Sequence, residues 1–489
     1  MGVLKKLAGQ TAIYGISSVL GRVLNLALTP LYTNVFANGE YGIFIYLYSW
    51  IALVNVVLIF GMETTFFRYA QDNENYKSVY TQAFLWVLFI SSSFFLLTGL
   101  FYKGIAEMAG YEDQPLLILL TLAIIFLDTI AALPQARLRY EEKVTWFAVI
   151  NLSNILLSIA LNLLFVLVLK KGILFVFIAN LITSSLRLGM SLWKNFPDSF
   201  RPDREQMKEM VKYGYYIMIA GLAGMMTQTI DRILIPMFWV DGTLFNGIPR
   251  TGEQLNGLYG ANYKVAMLIA LATQAFRYAV EPFFFKESSK EDSPETFARV
   301  FHYFALASLA GFLFLASYAK EIVSFDLFGL VNFTFVGKNY WEALGVVPIL
   351  LLAYVFNGAY MNLSIWFKIT KQVRYAIFFT GAGALITVVI NYFTIPVYGY
   401  MGSAWATLIC FALMCIMVYV VGQKYYPVPY RIGRIGLFTA LFVVGYLINQ
   451  QIGPTDGYAP AFFMKLIVCM SVLGIVYLVE KYKPVRWHK

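Results

Sequence analysis

The sequence predicts an all-α integral membrane protein: about 14 transmembrane helices, two pseudo-symmetric six-helix lobes around a central cavity, and two further C-terminal helices. Three observations carry that prediction. Of 489 residues, 60% are hydrophobic and only 13% are charged, a balance that soluble domains do not carry. The apolar residues fall in runs of the ~20 residues that a helix needs to cross a bilayer. The polar punctuation of those runs occurs twice, at constant offsets.

Taken in order, the apolar runs place spans at 11–35, 41–62, 81–102, 115–136, 145–169, 172–193, 213–237, 257–285, 297–319, 344–367, 374–395, 402–422, 435–450 and 460–480. Only short loops lie between them, which leaves no room for a soluble catalytic domain. Lys5 and Lys6 precede the first run, which is too long for a signal peptide and has no A-x-A site, so it reads as the first span. Cys410, Cys415 and Cys469 all lie inside spans, where they read as small packing residues rather than a disulfide framework.

Lysine and arginine set the orientation. With Met1 inside, about 25 of the 37 fall in inside loops and termini and about 6 in outside loops. Both termini are therefore predicted to be cytoplasmic. The net charge of +10 reads as topology and contact with anionic membrane lipids, not as nucleic-acid binding.

The first span repeats in the seventh. Gly15, Ser18, Arg22, Asn25, Thr29 and Pro30 fall on Gly221, Gly224, Gln228, Asp231, Ile235 and Pro236. After a loop that gains about twelve residues in the second copy, Tyr41-Gly42 falls on Tyr259-Gly260 and Glu63 on Glu281. The stretches GMETTFFRYA and AVEPFFFKES are thus one helix ending written twice. Asn151, Asn154, Ser158 and Asn162 fall on Thr380, Gly383, Thr387 and Asn391. The repeat unit is six spans, an even number, so both copies face the same way across the bilayer. This divides the chain into an N-terminal lobe at 1–193, a cytoplasmic linker at 194–212, a C-terminal lobe at 213–422, and two extra spans with a basic tail at 423–489.

Spacing places the polar residues. Gly15, Ser18, Arg22, Asn25 and Thr29 recur at alternating steps of three and four, one stripe of a helix, and Gly221, Gly224, Gln228 and Asp231 repeat it. Such stripes face neighbouring helices or water, so they are either packing faces or the lining of a polar cavity. Asn25, Gln228, Asn162 and Asn391 are the candidate lining residues. Arg22, Lys264 and Arg277 are the candidate cationic contacts. Lys264 and Arg277 stand about 220° apart on an ideal helix and share a narrow groove only if that span bends. Arg277 and Glu281 are one helical turn apart and placed to pair. The in-span acids Asp128, Asp231, Glu63 and Glu281 are candidates for coupling to a proton or sodium ion; for Glu63 and Glu281 the other reading is a helix end paired with basic residues. Lys465 has no visible partner in sequence. More in-span charge is basic than acidic, so the cavity should take an anion such as a phosphate group.

The stretches SSVLGRVLNLALTPLYTNVF, EYGIF, EEKVTWFAVINLSNILLSIALN and INYFTIPVYGYMGSAWATLIC resemble, in order and spacing, the polysaccharide-transporter branch of the multidrug/oligosaccharidyl-lipid/polysaccharide exporter superfamily. The likeness is to Wzx-like O-antigen or capsule flippases and covers essentially the whole chain. It implies a flippase of the bacterial inner membrane moving an undecaprenyl-diphosphate-linked oligosaccharide between leaflets by alternating access, with no cofactor, with H+ or Na+ coupling as in some relatives, and with polysaccharide polymerase machinery as a further partner. Arg22 stands where lipid II flippases of the superfamily carry a first-span arginine; the second copy has Gln228 instead.

The rival transporters are a lipid II flippase and a cation-coupled multidrug antiporter of the same fold. The antiporter needs an acidic cavity, which Arg22 and Arg277 oppose. An enzyme is disfavoured: there is no D-x-D acid pair, no phosphate-binding P-loop, no metal cluster and only two histidines, of which His302 reads as an interfacial residue.

Overall fold

The computed structural model describes residues 26–71, 75–288, 290–326, 333–370, 372, 374–452 and 459–482. Within these the protein is almost wholly helical. Eleven of the described helices are long and apolar enough to cross a membrane. The chain divides into two compact units, Met1–Ile233 and Leu234–Lys489.

The first unit contains α1 (Thr29–Val35), α2 (Asn38–Ile59), α3 (Met62–Gln71), α4 (Tyr76–Leu100), α5 (Tyr102–Met108), α6 (Pro115–Tyr140), α7 (Val144–Asn162), a π-helical turn at Leu163–Val168, α8 (Leu174–Asn195) and most of α9 (Arg204–Phe238). Its hub is α6, packed on α2, α4 and α8. In α6, 61% of the apolar window is buried, against 17% in α7, so α6 is the core helix and α7 an outer one. Phe66, Tyr80, Leu133 and Met210 meet in a core built from α3, α4, α6 and α9.

The break between α2 and α3 has a local cause. Phe60 and Gly61 both adopt positive φ, and a Cβ on Gly61 would lie 2.7 Å from the Gly214 carbonyl oxygen. The glycine permits both the turn and the close approach of α9. The equivalent position in the second copy is Ala279, and there the helix runs on unbroken.

The second unit contains β1 (Leu244–Phe245), β2 (Ile248–Pro249), α10 (Gly252–Glu287), α11 (Ser293–Ser317), α12 (Ala319–Ser324), a 3-10 turn at Lys338–Gly345, α13 (Val346–Leu363), α14 (Ile365–Ile369), α15 (Arg374–Tyr398), α16 (Tyr400–Tyr425), α17 (Ile432–Gln451) and α18 (Ala459–Tyr482). Its hub is α13, packed on α10, α11 and α16. Helices α6 and α13 are the fourth spans of their repeats, so the duplication is one of packing as well as of sequence.

The extra residues of the second copy form the β1–β2 hairpin, turned by Asn246 and Gly247, both at positive φ. Arg250 holds the hairpin to Glu342 at 2.6 Å. Helices α9 and α10 are 35 and 36 residues long, about 50 Å at 1.5 Å per residue. They are not among the eleven most apolar helices. Length lets them span, and polar residues such as Gln228, Asp231, Lys264 and Arg277 lower their hydropathy.

The stretch 194–212, read from sequence as a linker, is bound into the first unit. Tyr80 Oη donates to the Asn195 carbonyl at 2.6 Å, the Asp203 backbone N–H donates to Gln82 at 2.9 Å, and Arg137 reaches Asp198 at 3.3 Å. Helices α17 and α18 join the second unit through polar bonds. Lys465 of α18 pairs with Glu321 at 2.9 Å, and Asn449 of α17 donates to Ser317 at 2.8 Å. His302, expected at an interface, is buried in α11 and bonds Glu480 of α18 at 3.1 Å; Arg434 of α17 meets the same carboxylate at 3.3 Å. Burial away from water demands a partner for the imidazole, and the last helix supplies it.

Candidate substrate-binding site

The repeated helix ending positions a repeated ion pair. In the first unit Glu63, at the start of α3, binds Arg139 near the end of α6 at 2.6 Å. In the second unit Glu281, near the end of α10, binds Lys368 of α14. The offset that carries Glu63 onto Glu281 belongs to the second spans. The offset that carries Asn151 onto Thr380 carries Arg139 onto Lys368. Each pair ties the second span of its repeat to the fourth. The aromatic residues repeat with it: Phe66 and Phe284 are both buried.

At this ion pair the second copy carries one further charge. The residue four before Glu281 is Arg277; its first-copy equivalent is Ile59. Arg277 Nε lies 4.0 Å from Glu281 Oε2, the outer limit of an ion pair, and that nitrogen is buried with no hydrogen-bond partner. Glu281 thus serves two cations, and the cluster carries a net positive charge.

A cavity of about 20 Å³ opens beside this cluster. Thr273, Arg277 and Glu281 of α10 line it, with Asn362 of α13 and Lys368 of α14. The Thr273 hydroxyl and the Asn362 amide oxygen are buried there without hydrogen-bond partners. Unsatisfied buried polar groups converging on one space are the ordinary mark of a place that water or a ligand fills.

A family model described as polysaccharide biosynthesis protein matches residues 7–286, more than half of the chain. The chain belongs to that polysaccharide biosynthesis family. No curated protein matches the sequence. Among solved structures, a lipid II flippase MurJ in an inward closed conformation aligns over 96% of this chain and 99% of its own, with TM-score 0.71 and 15% identity. An inward-facing multidrug resistance MATE transporter of the MOP superfamily aligns over 85% and 95%, with TM-score 0.64 and 14% identity. A MATE transporter in complex with MaD3S aligns over 87% and 95%, with TM-score 0.60 and 15% identity. At these identities the likeness is one of fold. This polysaccharide biosynthesis family member is therefore a multi-pass α-helical membrane protein with the fold of MOP-superfamily transporters.

The other sequence-predicted residues of this family member are distributed through both units. Arg22 and Asn25 lie outside the described residues. Gln228 is exposed on α9, where its carbonyl accepts from Arg232. Asp231 is buried and bonds Arg232 Nε at 3.3 Å. Lys264 is half-buried on α10. Asn162 is buried in the first unit, accepting from Tyr32 Oη at 2.9 Å and donating to the Ser158 carbonyl at 2.7 Å. Its repeat equivalent Asn391 is buried in the second, accepting from Ser403 at 2.6 Å and donating to the Thr387 carbonyl at 2.8 Å. These are bonds of helix packing. Asp128 of α6 pairs with Arg187 of α8 at 2.5 Å, beside Tyr48, which Asn180 bonds at 2.6 Å.

Of the predicted residues, the structure brings Arg277 and Glu281 together. Sequence reasoning missed Lys368, counted only as an inside-loop charge, along with Arg139, and it left Asp128 without its partner Arg187. The constant offset between repeats was the signal that could have matched Lys368 to Arg139. Arg187 had no local signal, since α8 meets α6 only in the folded unit.

Proposed function

We propose that this protein is a flippase for an undecaprenyl-diphosphate-linked oligosaccharide, moving O-antigen, capsule or exopolysaccharide repeat units across the bacterial inner membrane by alternating access. The observation that carries this reading is the uncompensated cation of the second repeat. Arg277 and Lys368 share a single carboxylate beside a cavity lined by unsatisfied polar groups. A diphosphate supplies the missing negative charge, and a guanidinium and an ammonium are the side chains suited to receive it. In the orientation set by the lysine and arginine bias, these helix ends lie on the cytoplasmic side, where a lipid-linked glycan is loaded. A diphosphate with sugars does not cross ~30 Å of hydrocarbon unaided, so a polar, cationic foothold is the physical requirement. Membership of a polysaccharide biosynthesis family and the MurJ-like fold support the reading at the level of class. Asp128, half-buried beside Arg187, is the carboxylate we assign to coupling with a proton or sodium gradient.

The test is depletion. Cells lacking the protein are expected to accumulate an undecaprenyl-diphosphate-linked glycan accessible only from the cytoplasmic leaflet, and that glycan names the substrate. Absence of any such lipid, with raised sensitivity to cationic dyes, would replace the flippase with a drug antiporter.

A further inference from the structure

We propose that Glu281 is a resident counter-anion, holding Arg277 and Lys368 until a phosphate group of the substrate displaces it. The inference rests on the flippase reading for its ligand and on the following geometry for its mechanism.

One carboxylate is stretched across two cations. Oε1 of Glu281 binds the Lys368 ammonium, while Oε2 stands 4.0 Å from Arg277 Nε, too far for a hydrogen bond. The diphosphate bridge of such a substrate, with two unesterified oxygens and one negative charge on each phosphorus, can bond both cations at once where the carboxylate satisfies one. Two more groups wait at the same place. The Thr273 hydroxyl is buried without a partner and can donate to a phosphate oxygen. The Asn362 amide oxygen, whose Nδ2 already donates to the Gly358 carbonyl at 3.0 Å, is free to accept from a hydroxyl or a water.

The space supports displacement rather than addition. A cavity of about 20 Å³ holds one water and not a phosphate, so the anion's place is the one the carboxylate occupies. Exchange does not require unfolding. The side chains of Arg277, Glu281 and Lys368 are 41%, 31% and 34% exposed, so the ligand approaches from one open side while Glu281 swings away on its own rotamers. The first unit supplies the internal contrast. Glu63 and Arg139 form the equivalent pair at 2.6 Å, with Ile59 in place of the second cation, so one carboxylate there faces one cation.

The returning carboxylate also gives a route for release. A cationic site strong enough to load a diphosphate would retain it; a tethered competitor that retakes both cations limits the affinity.

The experiment uses the full chain in nanodiscs of zwitterionic lipid, with inorganic pyrophosphate as the probe. Glu281→Gln removes the competitor and is expected to bind pyrophosphate roughly tenfold more tightly, the scale on which an adjacent charge alters proton affinity. Glu281→Asp, too short to span both cations, is expected to bind more tightly than the parent as well. In the unaltered protein, pyrophosphate is expected to increase carbodiimide labelling of Glu281, read by mass spectrometry. Equal or weaker binding by either folded variant overturns the proposal, as does labelling that stays constant or falls. These readouts separate the two inferences. Failure of the exchange leaves the cellular glycan test standing, and failure of that test leaves anion exchange at Glu281 intact.

Discussion

Replacing Arg277 by methionine should separate function from stability, and the geometry says by how much. The Arg277–Glu281 separation is 4.0 Å and the arginine side chain is 41% exposed, so the pair belongs with solvent-screened ion pairs worth about 0–1 kcal/mol. Its buried Nε has no partner, and removing it relieves a desolvation cost of comparable size. Methionine keeps most of the apolar stem. The net change in stability should therefore stay within about 1 kcal/mol. The functional loss should be larger, since a charge-assisted contact to phosphate contributes about 1.5–3 kcal/mol, or roughly ten- to hundredfold in affinity. Arg139→Met is the comparator. It breaks a 2.6 Å pair with Glu63 and a cation–π contact 5.4 Å from the Phe67 ring centroid, so it should unfold earlier. The assays are thermal unfolding in detergent and rescue of glycan export in depleted cells. If Arg277→Met exports normally, or loses as much stability as Arg139→Met, the assignment of the two repeats to site and scaffold is wrong.

Three further outcomes follow from the same reasoning. Lys465→Met should destabilise the second unit by roughly 1–3 kcal/mol, because it removes the 2.9 Å contact between the buried ammonium and Glu321, while Lys465→Met with Glu321→Leu should recover most of the loss in a detergent unfolding cycle. Asp128→Asn strips Arg187 of its anion and should alter the dependence of export on proton or sodium gradients; identical dependence in vesicles would remove Asp128 from coupling. Burial tends to raise the Glu141 carboxyl, but hydrogen bonds from Lys143 and Arg137 outweigh it and hold the group below its ordinary range. Its contribution to stability is then complete above the ordinary carboxylate range and lost as pH falls through the lower folded value, so Glu141→Gln should flatten the acid side of a stability–pH curve.

The helices were legible because a bilayer imposes a length and a composition that few other structures share. Polar residues such as Gln228, Asp231, Lys264 and Arg277 dilute the hydropathy of α9 and α10, yet the runs at 213–237 and 257–285 still located both helices. The Asn246-Gly247 dipeptide signalled a hairpin in the second-copy insertion, where the sequence reading saw only added loop. Partners were the hardest part. Arg277 and Glu281 share a helical turn, so spacing joined them. Asp128 meets Arg187, Lys465 meets Glu321 and His302 meets Glu480 across different helices, and no periodicity within one helix reports on another.

The repeat itself is the best guide to what the site does, because the two copies share a frame and differ in a few side chains. In the first unit Thr129 donates to Asn55 at 2.8 Å, and Asp128 beside it pairs with Arg187. Carried through the same offsets, Asn55 becomes Thr273, Thr129 becomes Gly358, Asp128 becomes Asn357 and Ile59 becomes Arg277. Each change opens the second copy. Thr273 loses its bonding partner to a glycine, the internal acid becomes neutral, and an apolar residue becomes a cation. In the first unit that frame pairs Asn55 with Thr129 and Asp128 with Arg187. In the second the same frame is left short of one negative charge and two hydrogen bonds, a deficit that packing does not require and a phosphate-bearing ligand would fill.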